Sequence, residues 1–291
     1  MKNIKISYLL IALVSLAACE DPIDLDLDSG RSQLVVDGFL TNENTIQTIR
    51  LTKSADYFAN VPTPDENNAQ VRVVGPAGVI YNFQTDDNGN FKYNPAANGA
   101  FDSIGYAYKL ELQYNGIDYI STSVLNPVPN IDSMTVSLEE DEPGSEEGYY
   151  TQYYARDIAG REDFYWTKAY KNGSPAYPED PTFLILSVDA AFGGEGADGL
   201  PFILPIRAAI TNEEEPFEVG DTSSVELFSL NENVYEFLDQ VTIQAQDGGL
   251  FSTPPANIRS NILDAAGNEQ EEVLGVFSLS AVSRSEIEIT P

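Results

Sequence analysis

The sequence contains no histidine, and Cys19 is its single cysteine among 291 residues. Without histidine, the chain cannot form a Ser-His-Asp or Cys-His catalytic group, nor the usual catalytic zinc sites. With one cysteine, no disulfide can form within the chain. We therefore expect a protein that is not an enzyme, with no catalytic residues; the alternative is a hydrolase of glycans or other polymers that uses paired carboxylates.

Positive charge is also scarce, since 15 Lys and Arg stand against 46 Asp and Glu and give a formal net charge of −31. Nucleic acids and anionic membranes are bound through cations that neutralise phosphates. A nucleic-acid partner is therefore excluded. High acidity keeps a secreted protein soluble, although clustered carboxylates also suit divalent cations. We expect no cofactor and no metal, with Ca²⁺ as the alternative.

The apolar run near the start of the chain, Tyr8 to Ala18, is too short for a transmembrane helix, which needs about 20 residues. It follows two lysines and ends in Leu16-Ala17-Ala18-Cys19. A basic segment, an apolar segment and small residues form a secretory signal, and the last four residues resemble the bacterial lipobox. The sequence predicts a lipoprotein signal peptide over residues 1–18 and lipidation of Cys19. An ordinary secretory signal is the alternative.

Acylation of Cys19 on its sulfur and its new amino group would supply the two or more chains that stable membrane attachment requires. The next residues, Glu20 and Asp21, begin an acidic tether over residues 19–32. An acidic cluster after the cysteine resembles the surface-export signal of Bacteroidota lipoproteins. We expect a lipid-anchored outer-membrane protein on the cell surface. A protein on the periplasmic face, with an ordinary solvated tether, is the alternative.

Short runs of Val, Ile, Tyr, Phe and Thr, separated by Gly, Asn and Pro, indicate a mainly β chain. Residues 33–125 are predicted to form an immunoglobulin-like or transthyretin-like β-sandwich. Its predicted strands are Gln33–Leu40, Thr45–Thr52, Gln70–Val74, Val79–Gln84, Asn90–Asn94, Tyr106–Tyr114 and Ile117–Val124. A proline-containing linker over residues 126–131 is predicted to precede a second β-rich domain, residues 132–291.

Two hairpins are predicted within the sandwich. Asn115-Gly116 favours a two-residue type I′ turn, which would pair Tyr114 with Ile117. Alternation along the first strand of this hairpin places four side chains in the core: Tyr108, Leu110, Leu112 and Tyr114. The second hairpin would join Tyr81 and Phe83 to Phe91 and Tyr93. Its loop carries Asp86, Asp87 and Asn88, which suit either calcium or a plain turn.

The second domain is predicted to contain one amphipathic helix, at about residues 231–245. Its apolar residues recur at helical spacing, and Asn231 or Asn233 is placed to cap it; the apolar set is Val234, Phe237, Leu238, Val241 and Ala245. The predicted strands around it are Ser133–Leu138, Tyr149–Asp157, Asp163–Lys171, Phe183–Val188, Phe202–Ala209, Glu271–Leu279 and Ser283–Thr290. The acidic segment 139–148 has no apolar residue to bury and is predicted to be a solvated loop.

Other motifs give weak signals for chemistry. Asp24–Gly30 begins like a calcium loop, but its glycine falls one place late and Val35 occupies the twelfth position. The glycine-rich segment at 193–196 lacks the lysine of a phosphate loop. Aromatic runs at 149–154 and 164–166 suit either a stacking platform or a half-buried core.

The order of features resembles one family, the Bacteroidota outer-membrane lipoproteins with domain of unknown function 4249 (DUF4249). The residues that carry the resemblance follow the acidic tether and are Leu34–Asn42, Ile49–Phe58, Val234–Gln244, Asn257–Ile262 and Leu274–Phe277. The resemblance implies a β-rich surface lipoprotein, often beside a TonB-dependent transporter with a carboxypeptidase-regulatory-like domain. It implies an accessory or binding role in nutrient uptake and carries over no catalytic residue. A structural or adhesive surface protein is a further alternative, and the ligand is unknown.

Overall fold

The structure, a computed structural model, describes residues 32–55, 62–140, 146–177, 181–191, 196–202, 210–246, 258–265 and 273–291. The strands of the first half are β1 (Leu34–Thr41), β2 (Gln47–Lys53), β3 (Ala69–Val74), β4 (Ile80–Asn82), β5 (Gln84–Thr85), β6 (Asn90–Tyr93), β7 (Ala107–Tyr114) and β8 (Ile117–Val124). Those of the second half are β9 (Ile131–Glu139), β10 (Gly148–Ala155), β11 (Phe164–Lys171), β12 (Ser174–Pro175), β13 (Ile185–Val188), β14 (Thr222–Leu230), β15 (Leu263–Asp264), β16 (Val273–Ser280) and β17 (Val282–Glu288). The helices are α1 (Pro95–Asn98) and α2 (Glu232–Gln246), with 3₁₀ turns at Pro76–Gly78 and Pro181–Phe183. The predicted mainly β class is confirmed.

The first sandwich consists of sheet I, with the strand order β16-β1-β2-β6-β5, and sheet II, with the order β15-β8-β7-β3-β4. The core between them includes Leu34, Val36, Ile49, Leu51, Phe91, Phe277 and Leu279 from sheet I and Val71, Val73, Tyr108, Leu110, Leu112 and Tyr119 from sheet II. Strands β15 and β16 come from beyond the predicted linker at 126–131. The first sandwich is therefore not built from residues 33–125 alone.

The two predicted hairpins have different outcomes. The β7–β8 hairpin is confirmed, because Tyr114 pairs with Ile117 and both turn residues have positive φ, 50° at Asn115 and 80° at Gly116. The other prediction is only partly right. Tyr81 lies in β4 and pairs with β3 of sheet II, whereas β5 pairs with β6 of sheet I. The chain changes sheets at Phe83, whose amide donates to the carbonyl of Val71 (3.0 Å).

The second sandwich consists of sheet III, with the order β12-β11-β14-β17 and β13 also beside β11, and sheet IV, with β10 and β9. Its core includes Tyr153, Ala155, Tyr165, Ile185, Phe202, Val225 and Leu227. Buried hydroxyl pairs join the two sheets: Tyr153 with Thr167 (2.8 Å) and Thr151 with Ser223 (2.9 Å). Strand β14 lies at the centre of sheet III, although the sequence pattern did not predict it. The predicted strand at 202–209 lies outside the described residues beyond Phe202.

Helix α2 lies between the sandwiches, and its prediction is confirmed. Val234 and Leu238 are buried with Leu230 of β14 and Val276 of β16. Partly buried side chains complete this cluster, namely Phe39, Phe164, Trp166, Leu184, Leu186, Tyr235 and Phe237. Ala245, at the end of the predicted apolar stripe, is exposed. The outer face of sheet I thus meets the outer face of sheet III, and the layers follow in the order II, I, III, IV.

A joint of asparagine and serine side chains holds the two sandwiches at the start of α2. The Asn231 amide nitrogen donates to Ser123 Oγ (2.8 Å) and to the carbonyl of Val124 (3.0 Å), while its oxygen accepts from the amide of Val124 (3.0 Å). Ser229 Oγ donates to the carbonyl of Asn126 (2.7 Å) and accepts from the amide of Ala281 (3.0 Å). The backbone carbonyl of Asn231 accepts the first bonds of the helix. Its side chain therefore serves the joint and not the predicted cap.

We expect Asn231→Ala to lower the free energy of unfolding by about 2 kcal/mol, because it leaves half-buried backbone groups of β8 without partners. Urea unfolding followed by tryptophan fluorescence measures this change. Asn233→Ala is the matched control, since Asn233 is exposed and carries none of these contacts. Equal losses in both variants would contradict the role of the joint.

Gly275 in β16 allows the close approach of β16 to β1. Its φ is +94°, and a Cβ atom there would collide with the carbonyl oxygen of Val36. We expect Gly275→Ala to cost about 2–4 kcal/mol of stability through backbone strain and overpacking. Gly220 has a similar φ of +97°, but no atom lies within 4 Å of an added Cβ. Gly220→Ala should therefore cost only about 1 kcal/mol of stability. Calorimetric unfolding of both variants tests the difference.

Candidate functional site

The outer face of sheet III changes along its strands from apolar to charged. Near α2, Trp166 of β11 lies opposite Phe228 of β14. Two residues further along, Lys168 lies opposite Glu226, which in turn lies opposite Arg284 of β17. Successive residues on one face of a strand are two apart, so these charges form a row across the sheet directly beside the aromatic residues.

This row forms one wall of a cleft with a volume of about 290 Å³, which we call the charged cleft. The opposite wall comes from β1, β2 and the loop between them, and includes Phe39, Glu43, Ile46 and Thr48. Phe39 packs its ring against Trp166, with ring centroids 5.5 Å apart. The cleft is therefore the open end of the contact between sheets I and III, beyond the part that α2 fills.

Lys168 carries a half-buried cation in this cleft. Its Nζ lies 3.9 Å from the ring centroid of Trp166 and 4.7 Å from that of Phe228, within the range of cation–π attraction. Burial lowers the pKa of Lys168, while the charges of Glu226 and Asp37 act in the opposite direction. Among the described residues, no carboxylate lies within the 4.0 Å of an ion pair with this ammonium.

The carboxylates of the cleft are engaged by Arg284 and Tyr170. Arg284 Nη2 lies 2.6 Å from Glu43 Oε2 and 3.0 Å from Glu226 Oε1. The Tyr170 hydroxyl donates to Glu226 Oε2 (2.9 Å), and burial together with Glu226 raises the pKa of Tyr170. Arg284 thus ties the β1–β2 loop to sheet III. Among the described residues that line the cleft, this leaves Lys168 as the cation available to a ligand.

A second cavity of about 220 Å³, which we call the apolar pocket, lies along the edge of β11 that faces β12 and β13, away from β14. Trp166 and Lys168 line it as well as the charged cleft. Its remaining wall includes Pro175, Ala176, Tyr177, Phe183 and Leu184. The rings of Tyr177 and Phe183 are stacked, with centroids 4.0 Å apart and planes 10° apart. Lys168 therefore stands between a charged cavity and an apolar one.

The structure accounts differently for the residues that the sequence singled out. Cys19, Glu20 and Asp21 lie outside the described residues, as do the segment 24–30 and most of 193–196. Within the aromatic runs, Tyr150, Tyr153 and Tyr165 are buried in the core. From these aromatic runs, Trp166 lines the charged cleft.

The candidate calcium loop at Asp86 is built as a turn. Asp86 accepts from the amide of Asn88 (3.0 Å) and pairs with Lys92 (2.7 Å). Lys92 lowers the pKa of Asp86 below its usual range, against the smaller effect of burial. In the described part of the chain, no group of three or more acidic or cysteine side chains is arranged to hold a metal ion.

Three buried carboxylates lie elsewhere in the second sandwich and hold turns together. Asp157 accepts from the Tyr165 hydroxyl (2.6 Å) and from the amide of Gly199 (2.9 Å). Asp189 accepts from the amide of Asp163 (2.8 Å), and Asp163 pairs with Arg161. All three are at most 7% exposed. Since polymer substrates cannot reach them, they do not form a hydrolytic site in this conformation.

Sequence reasoning missed Lys168, Glu226 and Arg284 as a group. The predicted strand Asp163–Lys171 implies by its alternation that Lys168 and Trp166 share a face. However, the partners of Lys168 lie 58 and 116 residues away in β14 and β17, and only the strand register brings them together. Local pattern could therefore identify the strand but not the site.

The architecture defines a mainly β protein of two sandwiches with a cleft between them. In the described residues, no helix is long and apolar enough to cross a membrane. The sequence model of DUF4249, a domain of unknown function, matches residues 20–286, and the chain therefore belongs to this family. The predicted membership of the DUF4249 family is confirmed. No curated protein matches the chain in sequence.

Glu66 provides a pH-dependent contact beside the β5–β6 turn. Burial would raise its pKa, but Lys53 (2.8 Å), the amide of Asn68 (2.8 Å) and the Tyr114 hydroxyl (3.0 Å) outweigh burial. Together they lower the pKa of Glu66 from 4.5 to about 2. A carboxyl group whose pKa is lower in the folded than in the unfolded state stabilises the fold at pH values above its unfolded-state pKa. This stabilisation is lost as the pH falls through the folded-state pKa.

We therefore expect Glu66→Gln to be less stable than wild type by about 2 kcal/mol at pH 7. The difference should shrink as the pH falls from 4.5 towards about 2. Urea unfolding at a series of pH values measures it. Glu288→Gln, at an exposed position at the end of β17, is the control. A difference that stays constant across this pH range would contradict the assignment.

Proposed function

We propose that this protein is a non-enzymatic lipoprotein of the outer membrane, exposed on the cell surface, that binds a ligand and acts with a TonB-dependent nutrient transporter. The observation that carries the proposal is the position of the family match, which begins at residue 20, directly after Cys19. Lipidation at Cys19 would thus leave the entire matched region as the mature protein. The acidic residues Glu20 and Asp21 support export to the surface.

The binding role is supported by the geometry between the sandwiches. The charged cleft has aromatic walls and a half-buried cation without an ion pair among the described residues. Small-molecule sites combine apolar walls with a few placed polar groups. The carboxylates of the cleft, Glu43 and Glu226, are held by Arg284. This arrangement suits binding better than proton transfer, which needs a carboxyl group free to reach a substrate.

The anchor is tested by cell fractionation and protease treatment of intact cells. We expect wild-type protein in the outer-membrane fraction and degraded by external protease, because diacylation holds it at the surface. Cys19→Ala should leave the membrane fraction. Ser15→Ala is the control, since it leaves the Leu16-to-Cys19 segment intact. Protection of the wild type in intact cells would place it on the periplasmic face, and a membrane-bound Cys19→Ala variant would overturn the anchor.

The partnership is tested by purification of the tagged wild-type protein from membranes in mild detergent. We expect an outer-membrane TonB-dependent transporter to co-purify in comparable amounts. The Cys19→Ala variant should recover less transporter, since the variant protein is no longer anchored in the same membrane. Recovery of the wild-type protein without any transporter, after crosslinking in intact cells, would contradict the proposal.

A further inference from the structure

We propose that Lys168 marks a binding site for a small amphipathic carboxylate, with its carboxylate in the charged cleft and its apolar part in the apolar pocket. The proposal rests on the binding role proposed above and adds the class of ligand. Its basis is the position of Lys168 and Trp166, which line both cavities.

The charge of the ligand follows from the state of each ionic group around the cleft. Arg284 already pairs with Glu43 and Glu226. Within the described part of the chain, the ammonium of Lys168 lies against the rings of Trp166 and Phe228, and the acidic side chains of Glu226 and Asp37 are further off. A carboxylate would complete a charge-assisted hydrogen bond to this half-buried ammonium. A cationic ligand would be repelled by it.

The apolar part of the ligand follows from the composition of the second cavity. Tyr177, Phe183 and Leu184 present rings and an aliphatic side chain to it. Phe183 is 44% exposed, although it is a large apolar side chain stacked on Tyr177. Burial of an alkyl or aliphatic group here would remove apolar surface of both protein and ligand from water. A sugar would leave this pocket unused, because its hydroxyls need polar partners.

Two kinds of molecule share this chemistry, namely a free short-chain fatty acid and a peptide that ends in an apolar residue. The experiment distinguishes them by using octanoate and N-acetyl-leucyl-leucine as separate probes. Octanol and octylamine, which have the same chain but no negative charge, serve as ligand controls. The protein is the full-length chain with Cys19→Ala, so that no lipid competes, and binding is measured by titration calorimetry.

We expect at least one of the two carboxylate probes to bind. If octanoate binds, octanol and octylamine should bind at least tenfold more weakly than octanoate. Tighter binding of octanoate would identify a fatty acid as the ligand, and tighter binding of the dipeptide would identify a peptide terminus. Shortening octanoate to hexanoate should weaken binding, by up to about fourfold for each buried methylene lost.

Protein variants separate the two cavities. Lys168→Met keeps the aliphatic packing over Trp166 and should weaken carboxylate binding about tenfold, with the loss of one charge-assisted hydrogen bond. Lys109→Met is the matched control, since Lys109 pairs with Glu111 on the outer face of sheet II (2.9 Å). Phe183→Ala should reduce the dependence on chain length but keep the preference for a carboxylate. Urea unfolding of each variant confirms that it is folded.

The proposal is overturned if neither carboxylate probe binds, or if Lys168→Met and Lys109→Met bind the probes equally well. Either result would leave the anchor and the transporter partnership untouched, because those are measured in membranes. Conversely, carboxylate binding without transporter recovery would sustain this site and remove the transport role.

Discussion

The parallel pairing of β16 with β1 is the contact on which both sandwiches depend. It runs from Leu34 opposite Val273 to Thr41 opposite Ser280. The inner face of β16 contributes Phe277 and Leu279 to the first core, and its outer face seats α2 through Val276. The chain then passes directly into β17 of sheet III. One continuous segment therefore belongs to both sandwiches. Gly275 lies close to Val36 because the two residues are partners in the pairing of β16 with β1.

The cleft is a consequence of this arrangement. Because α2 covers the apolar part of the face between sheets I and III, the charged end of that face stays open to solvent. The cost of leaving half-buried charges there is offset by pairing, with Arg284 shared by two carboxylates. Among the described residues, the charge of Lys168 is offset by the faces of Trp166 and Phe228 and by the more distant carboxylates of Glu226 and Asp37. A ligand with a negative group that pairs with the Lys168 ammonium would therefore bind to a largely preformed site.

The sequence predicted those elements whose signal is local. Asn115-Gly116 set the register of β7 and β8, because both positions adopt positive φ, and the spacing of Val234 and Leu238 predicted α2. Strand β14 was missed because three hydroxyl residues, Thr222 to Ser224, begin it, and Glu226 and Ser229 interrupt its apolar residues. Ser223 and Ser229 are buried with their hydroxyls hydrogen-bonded to Thr151 and to the carbonyl of Asn126, which lie far away in the chain. Polar residues of this kind give the signal of a loop until their partners are known.

The sequence by itself determined the mainly β class, the family, and the prediction of a lipidated Cys19, since these depend on alternation, composition and motifs that a linear chain displays. Tertiary structure decided the rest. It placed residues 263–264 and 273–280 in the first sandwich, and it engaged the side chain of Asn231 in the joint between the sandwiches instead of a helix cap. It also brought Lys168, Glu226 and Arg284 into one row. The physical reason is that strand partners are chosen by the burial of a whole face, which depends on residues far apart in the chain.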